Sequence, residues 1–403
     1  MTASRKTVAV IGAGPVGLEA ALYAARLGHD VQVYERGDVG GSVRLWGHVT
    51  LFSPWHLNRS KLGEEVLRLA GVSLAADDHF PRGQEYVEQY LEPLADSPQL
   101  RGRVHPHTRV VQIGRDGIGK SDALGGGRER HAFRLLLEGP DGERIETADV
   151  VLDCSGTYGN APWLGNGNVP ALGERAASDR IAYVLRDLTG SDRRRYEGKR
   201  VLLVGSGFSA ATAIDGLLSL RDTEVVWVTR EESHEPYTLI DDDPLPERAR
   251  LSAFANGLAK GEDSRVTFHA GSTVDRFEPA ADGLHATLRT PTGPVDVEVD
   301  EVLAHVGYVP DSSIYRELQV HECYATGGPM KLAATLLAGS SADCLAQTSA
   351  GPDVLRNPEP DFYILGAKSY GRNSHFLIRL GLDQIREVFT LIEASPELDL
   401  YAA

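Results

Sequence analysis

Two stretches of the chain repeat one pattern of apolar and polar positions. In each, a five-residue run ends in glycines and passes into an apolar helical stretch. The first is Thr7-Val8-Ala9-Val10-Ile11 followed by Gly12-Ala13-Gly14-Pro15-Val16-Gly17. The second, about 190 residues on, is Arg200-Val201-Leu202-Leu203-Val204 followed by Gly205-Ser206-Gly207-Phe208-Ser209-Ala210. Short continuous apolar runs predict strands buried on both faces of a parallel sheet. A helix is expected from Leu18 to Leu27, closed by Gly28, and then a strand Asp30–Glu35. The second repeat continues through a helix to a strand Glu224–Arg230. Further on, Val104–Ile113 and Ala132–Glu138 read as strands, with a Pro140-Asp141-Gly142 turn and an apolar strand Ala148–Gly156. Their counterparts are Val266–Phe277, Leu284–Arg289, the turn Pro291-Thr292-Gly293, and Val299–Gly307. Each half therefore predicts a strand, a glycine loop, a helix, a strand, a variable stretch and a three-strand meander.

The glycine loops carry chemistry. They match G-x-G-x-x-G and G-x-G-x-x-A, which hold a dinucleotide between strand and helix. Gly12 and Gly205 permit the tight turn, and Gly14 and Gly207 let a pyrophosphate approach the backbone. Gly17 and Ala210 are small so that helix and strand pack closely. The phosphate is expected on the N-terminus of the helix that follows each loop, where unpaired N–H groups and the helix dipole favour an anion, which makes Pro15, Val16, Phe208 and Ser209 further candidates for cofactor contact. Glu35 ends the second strand 18 residues after Gly17, where an acid meets ribose hydroxyls, and Arg36 follows it. At the matching strand end stands Arg230, a residue suited to a 2′-phosphate, which leans the second site towards NADPH over NADH. Glu231 and Glu232 follow at once and weaken that preference.

This order resembles the flavoproteins with two dinucleotide-binding domains, which include glutathione-reductase-like enzymes and flavin-containing monooxygenases. The resemblance implies an α/β fold of two Rossmann-like domains, each with a three-strand meander. An NAD(P)H domain, residues 166–299, would be inserted into an FAD domain made of residues 1–165 and 300–403. Residues 154–160, with Gly156, resemble the first crossing between domains, and Gly307-Tyr308-Val309-Pro310-Asp311 the second. Tyr363-Ile364-Leu365-Gly366 resembles the last FAD-domain strand. Related reductases often carry Gly-Asp there; this chain has Gly366-Ala367-Lys368. Before the second fingerprint, Gly198-Lys199-Arg200 fits the monooxygenases, although the histidine of their signature is missing.

Disulfide reductases of this group place a cysteine pair near the flavin. Here the segment Gly40-Gly41-Ser42-Val43-Arg44-Leu45-Trp46-Gly47 has no cysteine, and neither has 165–300. Cys154, Cys323 and Cys344 are scattered, which gives no dithiol, disulfide framework or zinc spacing. Cys154, on an apolar strand, reads as a small core residue. Two segments are less generic. Relatives pass the flavin ring at Gly40-Gly41, which makes Gly41 and Ser42 candidate FAD contacts and His48, Ser53 and Trp55 candidates for the flavin pocket. Ser53-Pro54 also suits a helix start. The second segment, Lys368 to Arg379, precedes an amphipathic C-terminal helix that Asn373 or Ser374 would cap. In related folds that helix points at the flavin, where its dipole and the charge of Lys368 or Arg372 would stabilise reduced flavin. Catalytic candidates are thus His48, Lys368, Tyr370 and Arg372; a solvated loop and ordinary core packing explain the same residues.

Composition narrows the field further. A net charge of −16 argues against nucleic acid and anionic membranes. No apolar run reaches the roughly 20 residues of a spanning helix. A strand that begins at Thr7 leaves no room for a signal peptide, and a cytoplasmic location is expected. Gly114–Ser121 matches the phosphate loop G-x-x-x-x-G-K-[ST], but Asp122-Ala123-Leu124-Gly125-Gly126-Gly127 cannot start the required helix. Asp241-Asp242-Asp243 has no histidine or glutamate to complete a metal set and reads as a solvated loop. The long excursion after Arg230, through His234 to Arg250, is a candidate cover for the nicotinamide.

The reading is an FAD-dependent, NAD(P)H-using oxidoreductase of a small organic substrate, in which hydride passes from nicotinamide to flavin. Monooxygenation with O2 is favoured over a dehydrogenase or reductase serving another acceptor. A homodimer is compatible with the sequence.

Overall fold

The computed structural model describes residues 5–339 and 344–402. It separates into two compact units, residues 1–158 with 309–403, and residues 159–308. The inserted unit is wider at both ends than the expected 166–299.

In the first unit, β1 (Thr7–Ile11) leads to the helix Pro15–Arg26 and β2 (Asp30–Tyr34). The helix starts earlier than its apolar pattern indicates, because Pro15 presets its first turn. It ends where Gly28 turns left-handed at φ 86°, the conformation in which glycine closes a helix. The stretch read as one strand, 104–113, divides into β3 (Val104–His105) and β4 (Arg109–Arg115). The break falls where His107 adopts φ 53°, outside strand geometry. β4, β5 (Phe133–Gly139) and β6 (Gly142–Ala148) form an antiparallel meander, and β7 (Val150–Asp153) returns to the main sheet.

The second unit repeats this plan. β8 (Ile181–Ala182) comes first, then β9 (Arg200–Val204), the helix Phe208–Leu218 and β10 (Glu224–Val228). The run 266–277 also divides, into β11 (Val266–His269) and β12 (Thr273–Pro279), around Gly271 at φ 59°. β13 (Leu284–Thr290) and β14 (Gly293–Val299) complete the meander, and β15 (Glu301–Ala304) returns. Even the bulges match: register slips between Val110 and Gln112 in one meander and between Val274 and Arg276 in the other. Back in the first unit, β16 (Phe362–Ile364) adds the last strand.

The two parallel sheets have orders β16-β7-β1-β2-β3 and β8-β15-β9-β10-β11. In both, the fingerprint strand is central, its neighbours lie on opposite sides, and the chain reverses its direction of travel there. The carboxyl ends of such strands form the crevice in which α/β sheets hold ligands. Buried Val8, Val10, Leu18, Leu22, Val31 and Val150 anchor the first core; Leu202, Val204, Val226, Ala286 and Val302 anchor the second.

Candidate functional site

The first fingerprint leaves room where a phosphate is expected and none where packing is needed. Gly12 stands at φ 97°, and a Cβ there would lie 2.8 Å from the Cys154 carbonyl oxygen. A Cβ on Gly17 would lie 1.9 Å from the Gly12 oxygen, whereas one on Gly14 meets nothing within 4 Å. Gly14 itself precedes the helix in extended backbone, with Pro15 in the first turn. Val16 is covered by the C-terminal segment: Cβ atoms on Gly366 and Gly381 would lie 3.2 and 2.6 Å from its Cγ2. The first fingerprint, Gly366 and the C-terminal helix Ile378–Ile392 therefore share one end of the sheet. Gly366, at φ 72°, donates its N–H to Gln384 Oε1 at 2.8 Å.

Glu35 is fixed at the mouth of this crevice. Its carboxylate accepts the Ala13 N–H at 2.8 Å and the Gly37 N–H at 2.8 Å. Arg36 beside it is exposed. Gly40, at φ 65°, donates to the Ala13 oxygen at 3.0 Å, which docks the short helix Gly41–Arg44 against the fingerprint. A Cβ on Gly41 meets nothing within 4 Å, and Ser42 is exposed. Gly156, left-handed at φ 69°, is likewise open on its Cβ side.

Other candidates fall elsewhere. Ser53 is buried, with Oγ donating to Asn58 Oδ1 at 3.0 Å. It caps no helix; only a 3-10 turn, Trp55–Leu57, follows. The cap of the next helix, Lys61–Leu69, is Ser60, whose Oγ accepts the Gly63 N–H at 2.8 Å. Asn373 and Ser374 do not cap the C-terminal helix, which starts at Ile378 with no side-chain cap; Asn373 Oδ1 accepts the His375 N–H instead, at 2.9 Å. Lys368 is 1% exposed. Its Nζ donates to Asp153 Oδ2 at 2.6 Å and Ser155 Oγ at 3.0 Å, over the Tyr315 ring at 4.9 Å. Its charge is therefore spent inside the protein, where an unpaired ammonium would be costly, and is not free for a flavin. Tyr370 is buried, which pushes its phenol up to about 12. Arg372 is exposed and His48 half-buried. Cys154 is buried and its thiol is held well above the ordinary range, first by burial and then by Asp153. Cys154 and Cys323 are free; the Cys344 side chain lies outside the described residues.

The second fingerprint repeats the first. Gly205, at φ 130°, leaves 2.1 Å between an added Cβ and the His305 oxygen, and Gly207 is open. Ala210 fills the third small position and is fully buried. Two aromatic braces escaped the sequence pattern. Trp227 Nε1 donates to the Gly205 oxygen at 2.8 Å, and the Tyr237 hydroxyl to the Gly207 oxygen at 2.9 Å. Phe208 packs against Tyr237 at 5.6 Å between ring centres. The excursion after Arg230 is thus tied down at Tyr237, and Asn256 holds that residue's backbone from both sides. Ser209 is half-buried and Arg230 exposed. Trp227 lies buried at a strand centre, and its indole N–H is the signal that could have pointed to the brace, since a buried donor needs an acceptor.

Both decoys are structural. β4 runs into the phosphate-loop match, and no helix follows Ser121. Arg128 instead holds that loop through the oxygens of Gly119 and Asp122, and pairs with Glu359 beside Arg115. Asp243 is not solvated as expected: it pairs with buried Arg248 at 2.7 Å. No group of three or more potential metal ligands occurs among the described residues.

Two crevices with open second glycines, buried third positions and helix N-termini fit two dinucleotides. The matching family model, pyridine nucleotide-disulphide oxidoreductase, covers residues 6–328. The chain belongs to this family. Like other pyridine nucleotide-disulphide oxidoreductases, it is a flavoprotein oxidoreductase that uses FAD and NAD(P)H. Ferredoxin–NADP reductase 1 of Cupriavidus metallidurans is 26% identical over 308 residues, 75% of this chain and 71% of that protein. Among solved structures, bacillithiol disulfide reductase Bdr from Bacillus cereus shares 20% identity with a TM-score of 0.69, over 97% of this chain and 99% of that one. The ornithine N-hydroxylase of Kutzneria sp. 744 shares 17% with a TM-score of 0.63, over 97% and 99%. These likenesses fix the fold. No helix among the described residues is long and apolar enough to cross a membrane.

Proposed function

We propose that the chain is an FAD-dependent monooxygenase of a small organic substrate, with FAD in the first unit and NAD(P)H in the second. The observation that carries this reading is Cys154. It is the cysteine beside the first fingerprint, and it is buried, free and held as the thiol. Thiol–disulfide exchange needs an accessible thiolate, and the sequence places no second cysteine near it. The chemistry that bound FAD supplies is two-electron uptake from NAD(P)H and reduction of dioxygen.

The chain's own residues bind, orient and brace. Glu35 takes the ribose hydroxyls while its two backbone bonds hold its carboxylate in place. The open backbone at Gly14 and the helix Pro15–Arg26 receive the pyrophosphate. The uncapped start of helix Ile378–Ile392 leaves its first N–H groups available for negative charge. The Lys368–Asp153 pair is a positioning element, tying the end of β7 to the segment after β16. In the second unit, Trp227 and Tyr237 hold the Gly205 and Gly207 carbonyls and so fix the shape of the fingerprint loop.

The test is substrate-stimulated NAD(P)H oxidation with O2 uptake. Oxygen incorporated into product supports the reading, and substrate reduction without O2 consumption contradicts it. A second reading, a reductase passing electrons to a small organic or protein acceptor, is favoured by the ferredoxin–NADP reductases that match 75% of the chain. NAD(P)H-driven reduction of an added acceptor under anaerobic conditions would support it.

A further inference from the structure

The loop after the second sheet strand is built by the same hydrogen bonds in both units. In the first, the Glu35 N–H donates to the His105 oxygen at 3.0 Å, the Thr108 N–H to the Glu35 oxygen at 2.7 Å, and the His107 N–H to the Gly37 oxygen at 3.0 Å. In the second, the Thr229 N–H donates to the His269 oxygen at 3.1 Å, the Ser272 N–H to the Thr229 oxygen at 2.8 Å, and the Gly271 N–H to the Glu231 oxygen at 2.8 Å. Fingerprint and strand meet alike, Gly12 N–H to Tyr34 and Gly205 N–H to Val228. Glu35 therefore corresponds to Thr229, Arg36 to Arg230 and Gly37 to Glu231. The basic residue stands one place beyond the ribose acid's position, not on it.

Thr229 cannot serve as that acid. It is buried, and its hydroxyl donates to the Glu231 oxygen at 3.2 Å. A carboxylate nevertheless returns to the fingerprint. Glu231 Oε2 accepts the Ser206 hydroxyl at 3.0 Å. Ser206 occupies the place of Ala13, whose N–H donates to Glu35. Both fingerprints thus carry a carboxylate on their second residue, delivered from two different positions. We propose that Glu231 is the specificity-determining residue of the second unit and makes it select NADH over NADPH. This rests on the reading of that unit as the nicotinamide site. A carboxylate accepts hydrogen bonds from ribose hydroxyls, while a 2′-phosphate would be repelled by Glu231, the carboxylate that bonds Ser206 in the fingerprint.

The experiment is calorimetric titration of the FAD-loaded full chain with ADP-ribose and with 2′-phospho-ADP-ribose, which reads binding without turnover. The wild-type chain is expected to bind ADP-ribose at least about tenfold more tightly, a preference that repulsion of the wrong ligand supplies. Glu231→Ser and Glu231→Gln are expected to abolish that preference; the Gln variant keeps the size and the bond to Ser206, so a folding defect cannot account for its result. A wild-type preference for the 2′-phosphate, or a ratio unchanged in both variants, overturns the proposal alone. Failure of both ligands to bind overturns the assignment of the unit, and the proposal with it.

Discussion

The two halves use one architecture but meet its constraints differently. At the third fingerprint position the first half has Gly17, where a Cβ would strike a backbone oxygen at 1.9 Å; the second half holds Ala210, buried and accommodated. At the end of the returning strand, Asp153 pairs with Ile11 in register and Ala304 with Val204. The first half places a buried ion pair there, the second a methyl group. The next residues, Cys154 and His305, both back onto the first glycine of their fingerprint. The outer strand beside the returning one comes from late in the chain in the first half (β16) and from before the fingerprint in the second (β8). The lesson is that backbone geometry is shared, while side-chain chemistry is set locally by what each crevice must hold.

The largest effect is expected at the third fingerprint position. Gly17→Ala should purify with little flavin and a strongly lowered melting temperature, because an added Cβ would strike the Gly12 backbone oxygen and no rotamer relieves that clash. The mirror change, Ala210→Gly, should cost only about 1 kcal/mol of helix propensity. Flavin absorbance per chain and thermal melts check both, and equal effects would break the comparison. Next, Lys368→Met should destabilise the first unit by about 3–5 kcal/mol, since it leaves Asp153 charged and buried. Denaturant unfolding should show recovery in the double variant Asp153→Leu with Lys368→Met.

The third effect is a pH dependence. Burial lowers the His305 imidazole to about 4, against about 6.5 in an unfolded chain. The unfolded state therefore binds the extra proton first. The contribution of neutral His305 is full above about pH 6.5 and is lost as pH falls towards 4, an effect of about 3 kcal/mol. Cys154, in the matching place, stays protonated across that range and adds no slope. Unfolding free energies between pH 4 and 7 should flatten in His305→Phe. Smallest is the strand-end pair: Glu35→Gln should weaken FAD retention about tenfold, and Thr229→Val should alter nucleotide binding by about threefold or less, both read by equilibrium dialysis.

The central strands were legible because parallel strands buried on both faces write continuous apolar runs. What escaped was set by bonds between distant residues. Each long run, 104–113 and 266–277, reads as one strand, yet His107 and Gly271 turn left-handed and hand the chain from sheet to meander. Strand-end charges could be counted but not placed: the ladder puts Thr229, not Arg230, opposite Glu35. Lys368 looked like a spare charge because its partner Asp153 lies 215 residues away. Trp227 and Tyr237 carried no motif at all, only the requirement that a buried donor find an acceptor.

The central claim is that electrons pass from NAD(P)H to FAD and onward without a protein dithiol. Anaerobic titration of the purified flavoprotein with NADH or NADPH, followed by flavin absorbance and a thiol count before and after, tests it most directly. The account predicts that the flavin bleaches with about one equivalent of nucleotide while the thiol count stays constant. Flavin that keeps its colour, or two new thiols per chain on reduction, would contradict it.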